Sequence, residues 1–269
     1  MIKNLIYILL GLYLFSCQKY DPVSGVPQVS GINYDSIFES PTIDISWEGN
    51  VYAAGYRYRL EPTSYFDTVK TYLNWSDWTA DTSVTLEYID EGFYNFYVQS
   101  RFNLDNMQID SAQVSFEVNA MQESSLLIYP MWLTLNTTET DTLNIYLYAE
   151  ELIPIYGSDV RLLYDAEILT FMKKTNVGIY SNLIIIPQEQ DAEPGVLLLT
   201  MSNFSTEAEI SGTGAIVRLT FSVTPQDFTI TTSVDIDGDH EDTYLQNTSE
   251  EIILLLDGHW RNGLIQLVP

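Results

Sequence analysis

The chain is expected to be all-β and to fold as two successive β-sandwich domains. Three observations predict this. Apolar side chains recur with period two in segment after segment, whereas a sustained period of 3.6 is missing. Tyr (19), Phe (11) and Trp (5) are plentiful while Lys and Arg together number 11, a bias toward strand formers. With 269 residues, 46% hydrophobic and 18% charged, there is apolar surface for two cores of ordinary size.

The first segment, residues 1–16, reads as a secretory signal: a positive charge at Lys3, an apolar run from Leu5 to Phe15, and a small residue at Ser16. The run is shorter than the roughly twenty apolar residues of a membrane span. Leu14, Phe15, Ser16 and Cys17 resemble the bacterial lipobox, although Phe15 is bulkier than the usual occupant. That resemblance implies lipidation of Cys17, the chain's one cysteine, and a lipoprotein held at the membrane through its acyl chains alone. The Gln-Lys-Tyr-Asp that follows Cys17 is similar to signals sending some lipoproteins to the outer face of the outer membrane. Residues 17–27, with Pro22, Gly25 and Pro27, read as a tether.

In residues 28–120, Ile43, Ile45 and Trp47 alternate with Asp44 and Ser46, as in a half-buried antiparallel strand. Gly49 and Asn50 mark a turn. Tyr56, Tyr58 and Leu60 then oppose Arg57, Arg59 and Glu61. Further strands are expected at Val84 to Tyr88, at Tyr94, Phe96 and Val98, and at Val114, Phe116 and Val118. Trp47 on an early strand, and Glu91-Gly92-Phe93-Tyr94 ahead of a late one, resemble the fibronectin type III and immunoglobulin-like pattern of a core Trp and a tyrosine corner. The resemblance implies that the Tyr94 hydroxyl bonds to backbone upstream. Trp75 and Trp78, flanked by Ser, Thr and Asp, are candidate glycan-stacking rings, with packing at the sandwich edge as the alternative.

In residues 125–269 the strands are more aliphatic. Leu126 to Tyr129 opens the set, and Leu143, Ile145 and Leu147 alternate with Asn144, Tyr146 and Tyr148. Val160, Leu162 and Tyr164 are expected inward, Arg161 and Leu163 outward, and a short element follows with Ile168, Leu169 and Phe171 turned back to the core. Leu183 to Ile186 and Val196 to Met201 are near-continuous apolar runs, as in strands covered on both faces. Ala215 to Val223, Ile230 to Ile236, Ile252 to Leu256 and Leu264 to Val268 complete about nine strands, the count of a jelly-roll-like sandwich.

The order Thr142 to Tyr148, Val160 to Asp165, Ile168-Leu169, Gly195-Val196, Ser211 to Gly214 and Ala215 to Val223 resembles the cohesin family. That resemblance implies a non-catalytic module that binds a protein partner, dockerin-like or other, through the sheet face of the Tyr-Asp strand. Asp159, Arg161 and Leu163 are its candidate contact residues. A sandwich of this shape also serves polysaccharide capture at a cell surface, the alternative reading.

The formal net charge of -26 tells against nucleic acid, since no basic run exceeds Lys173-Lys174. Such an excess of carboxylates serves solubility or Ca²⁺ binding. Asp235, Asp237, Asp239, Glu241 and Asp242 form the densest acidic cluster, read either as a solvated hairpin turn or, through Asp235, Asp237, Asp239 and Asp242, as an oxygen cage for Ca²⁺. It lacks the EF-hand spacing: Gly238 is fourth from Asp235, and position twelve is Gln246. There is no HExxH and no GxSxG, and Gly212-Thr213-Gly214 leads into a strand, so no enzyme activity is expected.

Overall fold

A computed structural model describes residues 27–32, 36–49, 53–63, 74–101, 109–121, 124–178, 183–189, 193–203, 210–247, 249, 251–255 and 259–269. The expected signal segment, Cys17, the tether up to residue 26 and Asn50 of the expected turn lie outside the described residues.

The described chain is built of strands, with no α-helix among its residues. The first sandwich comprises β1 (Gln28–Ser30), β2 (Ser36–Phe38), β3 (Ile43–Glu48), β4 (Gly55–Pro62), β5 (Ser83–Leu86), β6 (Gly92–Arg101) and β7 (Ile109–Val118). One sheet has the order β1-β3-β5 and the other β2-β7-β6-β4. Ile43, Ile45 and Trp47 of β3 face Leu60, Tyr94, Phe96, Val98 and Phe116 in one buried cluster. The period-two pattern fixes this register, since a slip of one residue would expose the whole apolar set. The Tyr94 hydroxyl donates to the Asp90 carbonyl oxygen at 2.8 Å, the backbone bond expected of it. The expected strand Val84 to Tyr88 ends early, at Leu86, because Tyr88 takes a left-handed φ of 57° that no ladder can continue.

The second sandwich comprises β8 (Ser125–Tyr129), β9 (Trp132–Asn136), β10 (Thr142–Ile155), β11 (Gly157–Tyr164), β12 (Leu169–Asn176), β13 (Ile184–Glu189), β14 (Val196–Ser202), β15 (Ile210–Val223), β16 (Ile230–Ile236), β17 (Tyr244–Gln246), β18 (Ile252–Leu254), β19 (Trp260–Arg261) and β20 (Gly263–Val268). One sheet runs β12-β15-β10-β8-β19 and the other β13-β14-β11-β16-β20-β9, with β17 pairing β11 and β18. Leu143, Ile145 and Leu147 from one sheet meet Val160, Leu162, Leu197, Leu199 and Val234 from the other, around Phe221. Tyr164 and Phe171 stand edge-on to Phe221 at 5.1 and 5.7 Å. The turned-back element after Asp165 is therefore the start of a full strand, β12, which pairs with β15.

Both sheets end in a blunted strand. On β13, Pro187 lies opposite Leu199 of β14, and on β12 the register shifts between Phe171 and Lys173.

The expectation that Leu183 to Ile186 and Val196 to Met201 are covered on both faces is not met. Ile185, Leu197, Leu199 and Met201 are buried, but Ile184 and Ile186 are 46% and 49% exposed. The outward face of this part of the sheet is open at Ile184 and Ile186, although Val196 farther along it is buried.

Candidate functional site

That uncovered face is organised by β11. Val160 and Leu162 alternate into the core, so Asp159, Arg161 and Leu163 all project to the other side and share one surface. Pairing registers place their neighbours. Ile184, Ser202, Gly157, Gln246 and Ile252 form one row across β13, β14, β11, β17 and β18. Ile186, Thr200, Asp159 and Tyr244 form the next, then Gln188, Leu198 and Arg161. Leu163 lies opposite Asp235 of β16.

The first row carries an exposed isoleucine at each end. Ile184 and Ile252, 46% and 62% exposed, flank Ser202, Gly157 and Gln246. Position 157 requires glycine, because a Cβ there would come within 2.9 Å of the Met201 carbonyl oxygen. Four steps of about 4.8 Å between strands set Ile184 and Ile252 roughly 19 Å apart across the sheet.

Polar groups fix the rest of the face. The Arg161 guanidinium is 15% exposed; Nη2 donates to Glu193 Oε2 at 2.8 Å and Nη1 to Asp237 Oδ2. The Tyr244 hydroxyl donates to Asp159 Oδ2 at 2.8 Å, and this bond, with burial, pushes the phenol pKa up. Burial raises the Asp235 carboxyl, offset by the hydroxyl of Ser233 at 3.0 Å. The face thus combines isoleucine and leucine side chains with one neutralised arginine and a rim of carboxylates.

The four aspartates weighed as a Ca²⁺ cage are not gathered. Asp237 is taken by Arg161, Asp235 sits on β16, Asp239 is exposed in the turn, and Asp242 Oδ2 lies 3.5 Å from His240 Nδ1. Among the described residues no three His, Cys, Asp or Glu side chains come together to hold a metal ion.

Among solved structures the chain is similar to the sixth cohesin of scaffoldin B from Acetivibrio cellulolyticus, solved in complex with a dockerin. Identity is 16% over 54% of this chain and 99% of that one, with a TM-score of 0.44. It is similar also to a cohesin of Clostridium thermocellum solved with its dockerin, at 14% identity over 56% and 98% of the two chains, TM-score 0.43. A third is the non-cellulosomal cohesin of Archaeoglobus fulgidus, at 11% identity over 55% and 93%, TM-score 0.43. No family model matches the sequence, and no curated protein matches it.

Trp75 and Trp78 lie elsewhere, on the segment beside β4, where Ser76 N donates to the Tyr58 carbonyl at 2.8 Å. Their half-buried rings are engaged by arginines. The Arg57 guanidinium is 4.8 Å from the Trp75 centroid and 4.7 Å from that of Trp78. Arg59 lies 5.1 Å from Trp75 and 4.7 Å from Tyr97, and Arg101 lies 4.6 Å from Trp78. The arginines arrive from β4 and β6, so only the pairing of these strands with the Trp segment reveals the ladder.

Sequence reasoning missed Ile184, Ile186, Ile252, Glu193 and Tyr244. In β13 both alternating sets are apolar, so no polar face betrays which side is open. Tyr244 and Glu193 reach the face by pairings 85 and 32 residues apart in sequence.

Proposed function

We propose that the chain is a surface-anchored docking protein whose second sandwich takes a helical protein partner on the uncovered face of β13, β14 and β11. The observation that carries this is the pair Ile184 and Ile186, half exposed beside Leu198 and Arg161 on a face whose opposite side is fully packed. An α-helix is about 10–12 Å across, and lies within the roughly 19 Å that separates Ile184 from Ile252. The rim of Asp159, Glu193, Asp235 and Asp237 selects a partner whose apolar stripe is bordered by Lys or Arg, because like charges at a rim oppose encounter. A dockerin-like module is the partner class that the cohesin-like reading implies.

In this reading Cys17 carries the lipid that holds the protein at the outer membrane. The first sandwich, fibronectin III-like in its seven strands and its Tyr94 corner bond, stands between anchor and docking face.

The test is capture of secreted proteins from the same organism on the immobilised chain, repeated with Ile186→Asp and Arg161→Ala. A specific partner should bind at micromolar concentration or tighter and lose at least tenfold with Ile186→Asp. Recovery of no partner, or of partners indifferent to both substitutions, overturns the reading. Binding on a glycan array in its place would favour polysaccharide capture.

A further inference from the structure

The two sandwiches meet through a carboxyl group that touches both. Asp90, in the turn before β6, is 1% exposed. Its Oδ1 accepts from the backbone N–H of Met131, between β8 and β9, at 2.7 Å, while its Oδ2 is buried with no hydrogen-bond partner. Glu91 beside it accepts from Ala120 N at 2.9 and 3.2 Å, in the segment that connects the sandwiches. Across a cavity of about 420 Å³, Glu91 and Glu117 of the first sandwich face Tyr129, Tyr148, Glu150 and Glu151 of the second. Glu150 accepts from the Thr213 hydroxyl at 3.0 Å. On the other side of the contact, Glu87 and Tyr88 face Met131, Trp260 and Arg261, and the Tyr88 and Trp132 rings stack at 5.5 Å.

We infer that this junction is a proton-dependent latch, in which Asp90 closes the two sandwiches against each other as a neutral acid and opens them as an anion. The geometry favours a proton: a neutral carboxyl accepts from Met131 and leaves one dry hydroxyl, whereas a buried carboxylate with an unpaired oxygen is costlier still. Among the described residues no cation acts on Asp90. Arg261, the basic group acting on Glu91, is outnumbered by Glu91, Glu117, Glu150 and Glu151. Burial first, and then the charge of Glu91, raises the Asp90 carboxyl from 3.8 to about 8 despite the Met131 bond. Burial likewise raises Glu91 from 4.5 to about 7, with Glu150 adding to the effect. Tyr148, pushed up to about 12 by burial and these acids, stays neutral throughout.

The sign follows from linkage. In the open junction both acids return toward 3.8 and 4.5, so closing takes up protons across the interval between open and closed values. The closed form is therefore favoured by acid and weakens as pH rises through 5 and 6, becoming independent of Asp90 only above about 8. This latch does not rest on the docking reading; it sets how the second sandwich is held relative to the first, whatever binds there.

The experiment follows amide hydrogen exchange at Met131 in the full chain from pH 5 to 6.5, corrected for intrinsic exchange, with small-angle scattering at the same pH values. Protection at Met131 should fall by between about ten- and a hundredfold per pH unit, as one or both acids ionise. In Asp90→Asn, whose side-chain carbonyl still accepts from Met131, the fall should be about tenfold per unit shallower. The maximum dimension of the wild type should grow as pH rises. Equal slopes in wild type and Asp90→Asn, or unchanged dimensions, overturn the latch. Should Asp90→Asn not fold, Glu91→Gln replaces it: a shallower slope supports the latch and an unchanged one overturns it.

Discussion

The hydroxyl of Tyr244 donates to Asp159 Oδ2 at 2.8 Å, joining β17 to β11 on the open side of the sheet. Tyr244→Phe should lower stability by about 0.5–1.5 kcal/mol, the usual net value of one such bond. Chemical denaturation checks this. Asp159→Asn should bring the Tyr244 phenol back down toward its ordinary range, seen by ultraviolet titration, because the bond to the carboxylate is the leading cause of its raised pKa.

Two substitutions separate the face from the core. Phe221→Ala removes a ring with no exposure that Tyr164 and Phe171 pack against edge-on, and should cost about 3–5 kcal/mol. Ile186→Ser, on a half-exposed side chain, should change stability by less than about 0.5 kcal/mol. Denaturant midpoints of the pair would show the contrast. A large loss with Ile186→Ser would mean that the face is structural.

Arg57 lies over two indoles, so Arg57→Ala should destabilise the first sandwich by about 1–2 kcal/mol, two exposed cation–π contacts. Trp78→Ala loses the contacts with Arg57 and Arg101 and should act in the same direction. Thermal melts would register both changes, and glycan binding by the wild type that Trp78→Ala abolishes would support the stacking role.

The whole chain should melt at a higher temperature at pH 5 than at pH 8. Asp90 and Glu91 hold protons in the folded state that they release on unfolding across this range, since their folded values are about 8 and about 7 against 3.8 and 4.5. Repulsion within a chain of net charge -26 acts in the same direction. The double variant Asp90→Asn, Glu91→Gln isolates the acid pair: it should flatten the pH dependence without abolishing it.

With Asp237 committed to Arg161 and the remaining aspartates dispersed, adding a chelator should leave the thermal midpoint unchanged. A rise in millimolar Ca²⁺, removed by Asp239→Asn or Asp242→Asn, would place an ion in that turn by mass action.

Much of the fold was legible because period two is written directly in side-chain chemistry: Ile43, Ile45 and Trp47, or Val160 and Leu162, point inward as their alternation predicts. The outward set Asp159, Arg161 and Leu163 was legible for the same reason. What period two cannot register is cover. A run such as Leu183 to Ile186 reads alike whether its second face meets another layer or solvent, and only the arrangement of the sheets decides. Nor does local sequence encode which arginines will meet Trp75 and Trp78, since that depends on strand pairing across distant segments.

Pro187 on β13 bears on how many copies can share a surface. Proline has no N–H to offer along an edge, and at the other margin Lys173 and Lys174 follow the step in the β12 register. Along β13 and β12 the template on which the strand of a neighbouring molecule could extend a sheet is therefore interrupted. Crowded side by side, copies of this protein would find these two edges, which lie beside the open face and the Phe221 core, poor places to join strand to strand.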